Sequence, residues 1–105
     1  MTAKEFINTL PEKVKEEVLH DLETLFHFDL DGEGGGQFSV VVQNAAITVT
    51  ETFEGDPKCL VKSEASFFME VVTGKANPMM AVLMGKLKIT NQGEMLKYAK
   101  IFGLM

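Results

Sequence analysis

Side chains able to do covalent or acid–base chemistry are few in this chain: one cysteine, Cys59, and two histidines, His20 and His27. A thiolate beside an imidazole base can attack a thioester, and that is the one nucleophilic reaction these residue types permit. Cys59 falls in the apolar run Cys59-Leu60-Val61, where a thiol behaves as a small hydrophobe, and neither histidine has a carboxylate at a fixed spacing to orient it. We therefore expect no catalysis, and a Cys59-dependent thioesterase is the lesser reading. Asp29 and Asp31 fall on the polar side of an alternating stretch and form no metal set, so neither a metal nor a cofactor is expected. A lone cysteine also excludes an intramolecular disulfide and a cysteine-built zinc site. The run Asp31-Gly32-Glu33-Gly34-Gly35-Gly36 invites a phosphate-cradle reading, which requires a helix behind it; a strand pattern follows instead, so the glycines make a hairpin.

The lysines are distributed unevenly. Residues 1–73 hold five lysines against fourteen acidic residues, whereas residues 74–105 hold Lys75, Lys86, Lys88, Lys97 and Lys100 against Glu94 alone, within a chain of net charge −5. The chain has no arginine, so the bidentate phosphate and base contacts of nucleic-acid readers are missing and no nucleic-acid partner is expected. The basic end coincides with an apolar one. Met79, Met80, Leu83 and Met84 crowd between Asn77-Pro78 and Gly85, where a connection is ordinarily polar. Methionines there either fill a core or form a flap over something apolar. A lysine collar around such a flap suits transient contact with an anionic membrane surface.

The elements that position these residues follow from periodicity. A chain of 105 residues suffices for one core, and a single domain over 1–105 is expected. No apolar run approaches the roughly 20 residues of a membrane span, and the N-terminus has no basic start or apolar middle, which places the protein in the cytoplasm. Thr2-x-x-Glu5 and Thr9-x-x-Glu12 are two capping boxes, predicting two short helical pieces that carry Leu10, Val14 and Val18 inward. Phe26-x-Phe28-x-Leu30, Phe38-x-Val40-x-Val42 and Ile47-x-Val49 alternate as three strands of an antiparallel meander. Cys59-Leu60-Val61 is a short fourth strand. Ser63 is expected to cap a helix with the stripe Ala65, Phe68, Val71 and Val72, ending at Gly74. After the flap, Lys86–Thr90 makes the fifth strand, and a last helix carries Met95, Leu96, Ala99 and Phe102. The fold class is α+β: a five-stranded, mostly antiparallel sheet (meander, crossover, then β-α-β) covered on one face by helices.

Phe68-x-x-Val71-x-Thr73-Gly74-Lys75-x-Asn77-Pro78, followed by Ala81-x-x-x-Gly85-Lys86-Leu87-Lys88-Ile89 and a helical C-terminus, closely resembles the sterol carrier protein type 2 family. The agreement takes in the Phe26-x-Phe28-x-Leu30 strand, the glycine hairpin and Cys59, and covers nearly the whole chain; residues 68–89 are its most specific part. The resemblance implies a hydrophobic tunnel between sheet and helices that takes fatty acids, fatty acyl-coenzyme A, phospholipids or sterols, in a monomeric, non-catalytic carrier. On that basis the tunnel would be lined from the sheet by Phe28, Phe38, Val40, Val42, Ile47, Val49 and Leu87. From the helical layer it would be lined by Phe68, Val71, Val72, Met79, Met80, Leu83, Met84, Met95 and Phe102. Lys75, Lys86, Lys97 or Lys100 would meet a headgroup at the mouth. The alternative is an accessory docking or dimerisation module of a larger lipid-metabolising system. The ending Phe102-Gly103-Leu104-Met105 lacks the long tail of some members, which predicts a less closed tunnel, and lacks the Ser-Lys-Leu address carried by others.

Overall fold

The computed structural model describes residues 1–104. Two helices, α1 (Ala3–Lys13) and α2 (Glu16–Leu19), precede the meander β1 (Thr24–Asp31), β2 (Gly36–Gln43) and β3 (Ala46–Thr50). The chain continues through β4 (Cys59–Glu64), α3 (Ala65–Val72), α4 (Pro78–Leu83), β5 (Leu87–Ile89) and α5 (Gln92–Tyr98). The sheet order is β3-β2-β1-β4-β5, antiparallel throughout except for the parallel pair β1–β4. The mostly antiparallel five-stranded sheet expected from the alternation is therefore present.

Register explains why one face is apolar. Phe26 pairs with Val40 and Cys59, Phe28 with Phe38 and Val61, and Val42 with Ile47, so every second residue of neighbouring strands meets on the same side. Helix α1 packs over β3, α3 over β4 and β1, and α5 over β4. The first capping box forms as expected: the Glu5 amide donates to Thr2 Oγ1 at 3.1 Å and the Thr2 amide to Glu5 Oε1 at 2.8 Å, which lowers the Glu5 pKa. Gly35 accounts for the tight hairpin, since a β-carbon there would stand 2.1 Å from the Leu30 carbonyl oxygen.

Four local expectations are corrected. The second capping box does not form, because α1 runs on through Pro11 and the Thr9 hydroxyl donates back to the Phe6 carbonyl at 2.7 Å. The break falls at Val14, which turns Leu19 inward and leaves Val18 exposed. Ser63 is a buried strand residue, not a cap; β4 extends to Glu64, which precedes α3 without a side-chain capping bond. The last helix stops at Tyr98, and Phe102 reaches the core from the turns beyond it.

The connection between β3 and β4 starts at one edge of the sheet and must reach the far side of β1. It crosses the outer face. Ser39 Oγ donates to the Thr52 carbonyl at 2.7 Å and accepts from the Glu54 amide at 2.8 Å. His27 Nε2 lies 2.8 Å from the Glu54 carbonyl, and its ring stacks on Phe53 with centroids 4.5 Å apart. Two polar residues on the outward register, His27 and Ser39, are thereby buried.

Candidate functional site

Between sheet and helices lies a continuous aromatic seam. Phe6 of α1 meets Phe68 of α3 at 6.0 Å between centroids, Phe68 meets Phe28 at 5.9 Å, Phe28 meets Phe102 at 5.6 Å, and Phe102 meets Phe26 at 4.8 Å. All four contacts are edge-on, the arrangement the ring quadrupole favours. Tyr98 closes the end of the run against Phe26 at 5.7 Å. Helix α5 is held there by two side-chain bonds to the start of β1: Thr24 Oγ1 donates to Glu94 Oε2 at 2.6 Å, and Tyr98 Oη donates to the Glu23 carbonyl at 3.1 Å.

Of the residues expected along the tunnel, the structure brings Phe28, Phe38, Val40, Val42, Ile47, Phe68, Val71, Leu87, Met95 and Phe102 into one buried cluster, with Val49 and Val72 half-buried against it. The flap is different. Met79, Met80, Leu83 and Met84 are 77, 53, 80 and 62 % exposed, and α4 seats itself on the protein through Ala81. Those four side chains occupy adjacent positions of a short helix, so docking by its one small residue turns them outward.

The four expected headgroup lysines do not share one mouth. Lys86 lies over the Phe67 ring at 5.3 Å in a mixed-charge groove with Asp31, Glu64 and Glu70, Lys97 pairs with Glu94 at 3.9 Å, and Lys75 stands exposed at the end of α3. Lys100 alone reaches an apolar groove, of about 510 Å³, walled by Phe6, Leu10, Val14, Val18, Val72 and Ile101. There it is joined by Lys13, whose ammonium sits 4.6 Å above the Phe6 ring, and by Lys15; among the described residues no carboxylate lines the groove. Lys13 and Lys15 carried no signal in the sequence, because their place on the groove depends on the C-terminal segment folding back against α1. The groove and the seam share Phe6.

Cys59 stands on the inner face and His27 on the outer face of the sheet, and His20 is exposed in the turn after α2. The thiol bonds the Asn91 carbonyl at 3.5 Å, and burial pushes its pKa up, against thiolate formation. Among the described residues no group of three or more His, Cys, Asp or Glu side chains is placed to hold a metal ion, and no helix is long and apolar enough to cross a membrane.

A mixed sheet whose apolar face is covered by helices, with a buried aromatic seam that shares Phe6 with a lysine-rimmed apolar groove, defines the class as an α+β fold of one sheet and one helical layer. The chain belongs to the SCP-2 sterol transfer family, whose model matches residues 3–105. The hydroxysteroid dehydrogenase-like protein 2 of Xenopus tropicalis is 30% identical over 97% of this chain, which spans 25% of that relative's length. Among solved structures, sterol carrier protein domain 2 of Helicoverpa armigera superposes with a TM-score of 0.75 at 20% identity, over 96% of this chain and 84% of that one. Palmitated SCP2L2 of Aedes aegypti superposes with a TM-score of 0.72 at 13% identity, over 97% and 95%.

Proposed function

We propose that this chain is a non-catalytic, monomeric lipid carrier of the cytoplasm that takes fatty acids, fatty acyl-coenzyme A, phospholipids or sterols, with acyl chains preferred. The observation that carries the reading is the groove of about 510 Å³ whose Phe6 wall continues through Phe68 and Phe28 to Phe102. Hydrocarbon entering at the groove parts the rings and extends along the inner face of the sheet. Each methylene moved from water contributes about 0.8 kcal/mol, so a long acyl chain offers on the order of 10 kcal/mol before the costs of association. A cavity of roughly 300 Å³ held open between the layers would forgo about 7 kcal/mol, comparable to the whole stability of a small domain. Interdigitated rings avoid that loss. Lys13, Lys15 and Lys100 receive the carboxylate or phosphate. Support for the acyl preference comes from the palmitated Aedes relative of the same fold, and the burial of Cys59 away from both histidines supports a binding role over thioester chemistry.

The test is displacement of a fluorescent fatty acid by palmitate, read beside the melting temperature and mass spectrometry of an organic extract of the native protein. Saturable displacement with a rise in Tm is expected; an unchanged melting curve at saturating palmitate would overturn the reading. Replacing Lys13, Lys15 and Lys100 by Gln should weaken palmitate but not cholesterol, by about two- to fivefold for each lysine.

The second reading, an accessory module, is favoured by the Xenopus relative, in which the matched segment is a quarter of the length. Gel filtration with and without palmitate separates the two, since a docking piece self-associates or needs a partner.

A further inference from the structure

Phe6 is the residue that the groove and the aromatic seam have in common, and its ring is held from three sides. Phe68 meets it edge-on from within, at 6.0 Å between centroids. Gly103 lies against its tip, where a β-carbon would stand 3.0 Å from Phe6 Cζ, so the C-terminal turn rests on the ring itself. From the groove, the Lys13 ammonium sits 4.6 Å from the ring centroid. Helix geometry explains that last contact. Phe6 and Lys13 stand two turns apart on α1, hence on one face, and helical side chains lean toward the N-terminus, which lays the lysine stem back over the ring. Lys13 thus has two competing partners in the groove: the face of Phe6, and any anion that Lys15 and Lys100 hold beside it. The neighbouring carboxylates of Glu16 and Glu17 line a separate recess with His20.

We propose that Lys13 is a latch on Phe6 that an anionic lipid releases and a neutral lipid does not, which makes it the residue that sets the selectivity of entry. A carboxylate or phosphate arriving at the groove draws the ammonium off the ring, because a charge-assisted hydrogen bond outweighs an exposed cation–π contact. Freed of its cap, the Phe6 ring turns away from Phe68 and admits the hydrocarbon tail. A neutral lipid of the same length offers the ammonium nothing in exchange and must wait for the contact to break by itself. Lys15 and Lys100 line the groove without covering an aromatic ring among the described residues, so they attract a headgroup but hold nothing shut. This role rests on the lipid-carrier reading and deepens it: the site distinguishes lipids by the rate at which they enter as well as by how tightly they are held.

The experiment is stopped-flow mixing of the full chain with pyrene-labelled dodecanoate and, separately, with the matching pyrene-labelled dodecanol, beside equilibrium titration of both probes. Wild type should take up the acid faster than the alcohol. Lys13→Gln should quicken entry and release of the alcohol together by about two- to fivefold, with its affinity unchanged, and should not quicken entry of the acid. Lys13→Arg keeps a cation able to stack on the ring and should restore the slow alcohol rates. In a Phe6→Leu background, Lys13→Gln should no longer alter them, which separates a contact with the ring from a general effect of charge. The latch is overturned if Lys13→Gln leaves alcohol entry unchanged, if Lys15→Gln or Lys100→Gln quickens it equally, or if the Lys13→Gln effect persists in the Phe6→Leu background. Binding of neither probe at equilibrium would remove the carrier reading and the latch with it, whereas binding of both with any of those rate results removes the latch alone.

Discussion

The Phe102 ring stands edge-on to Phe26 with 4.8 Å between centroids, and through this contact the C-terminal turns close the aromatic seam against the central strand. Phe102 is fully buried although no regular helix carries it. It is the plug of the proposed lipid site.

Phe102→Ala should destabilise the protein by about 3–5 kcal/mol, the usual cost of deleting a buried phenyl ring. The space left is apolar and connects to the groove, so palmitate should raise the Tm of the variant by more degrees than that of wild type. Thermal melts with and without palmitate check this; equal shifts would mean that the seam is not on the ligand's path.

Stability should fall as the solution becomes alkaline. The Cys59 thiol is raised above its ordinary 9.0 by burial, the Tyr98 phenol above 10.0 by burial, and the Lys62 ammonium above 10.5 by its hydrogen bond to Asp29. A raised folded-state pKa means that the protonated form is favoured in the fold, so each contribution is intact below the ordinary value and is lost as pH climbs through the folded one. Urea midpoints should hold to about pH 8 and decline from about pH 9 upward, and Cys59→Ala should delay the onset toward the tyrosine range. A flat midpoint to about pH 11 would contradict the assignment.

Ser39→Ala removes both bonds that pin the crossover to the outer face, leaving the Glu54 amide and the Thr52 carbonyl without their partner. A loss of about 1–3 kcal/mol is expected. Amide exchange should quicken at Glu54 while the inner-face strands β1 and β2 keep their protection, and uniform quickening would argue against a local tether.

At the turn between β2 and β3, Asn44 and Ala45 have φ of 52° and 58°. Left-handed backbone suits asparagine but not alanine, which lacks a side chain able to bond locally. Ala45→Gly should therefore stabilise by about 0.5–1 kcal/mol, visible as a rise of a few degrees in Tm.

What could be read in the sequence was what local chemistry decides. Alternation in Phe26-x-Phe28-x-Leu30 placed β1, Asn77-Pro78 announced the start of α4, and Gly74 and Gly85 take the left-handed conformations that end their helices. What escaped depended on distant partners. Thr9-x-x-Glu12 has the letters of a cap, yet burial of Ile7 and Leu10 against the sheet carries α1 past it. The apolar run at Met79–Met84 could not declare its direction, because composition is the same for an inner wall and an outer face. His27 and Ser39 alternate with the core residues and so read as solvent-facing, until the crossover covers them.

The parallel pairing of β4 with β1 carries a kinetic implication. The meander β1–β2–β3 is built from neighbours along the chain and can assemble early, whereas β4 can join only after the segment from Glu51 to Lys58 has traversed the sheet, a costly closure in chain entropy. Everything that makes the groove lies downstream of that step except α1 and α2. Pulsed exchange labelling during refolding should accordingly find β2 and β3 protected before β4 and α3, with lipid capture emerging only in the slower phase.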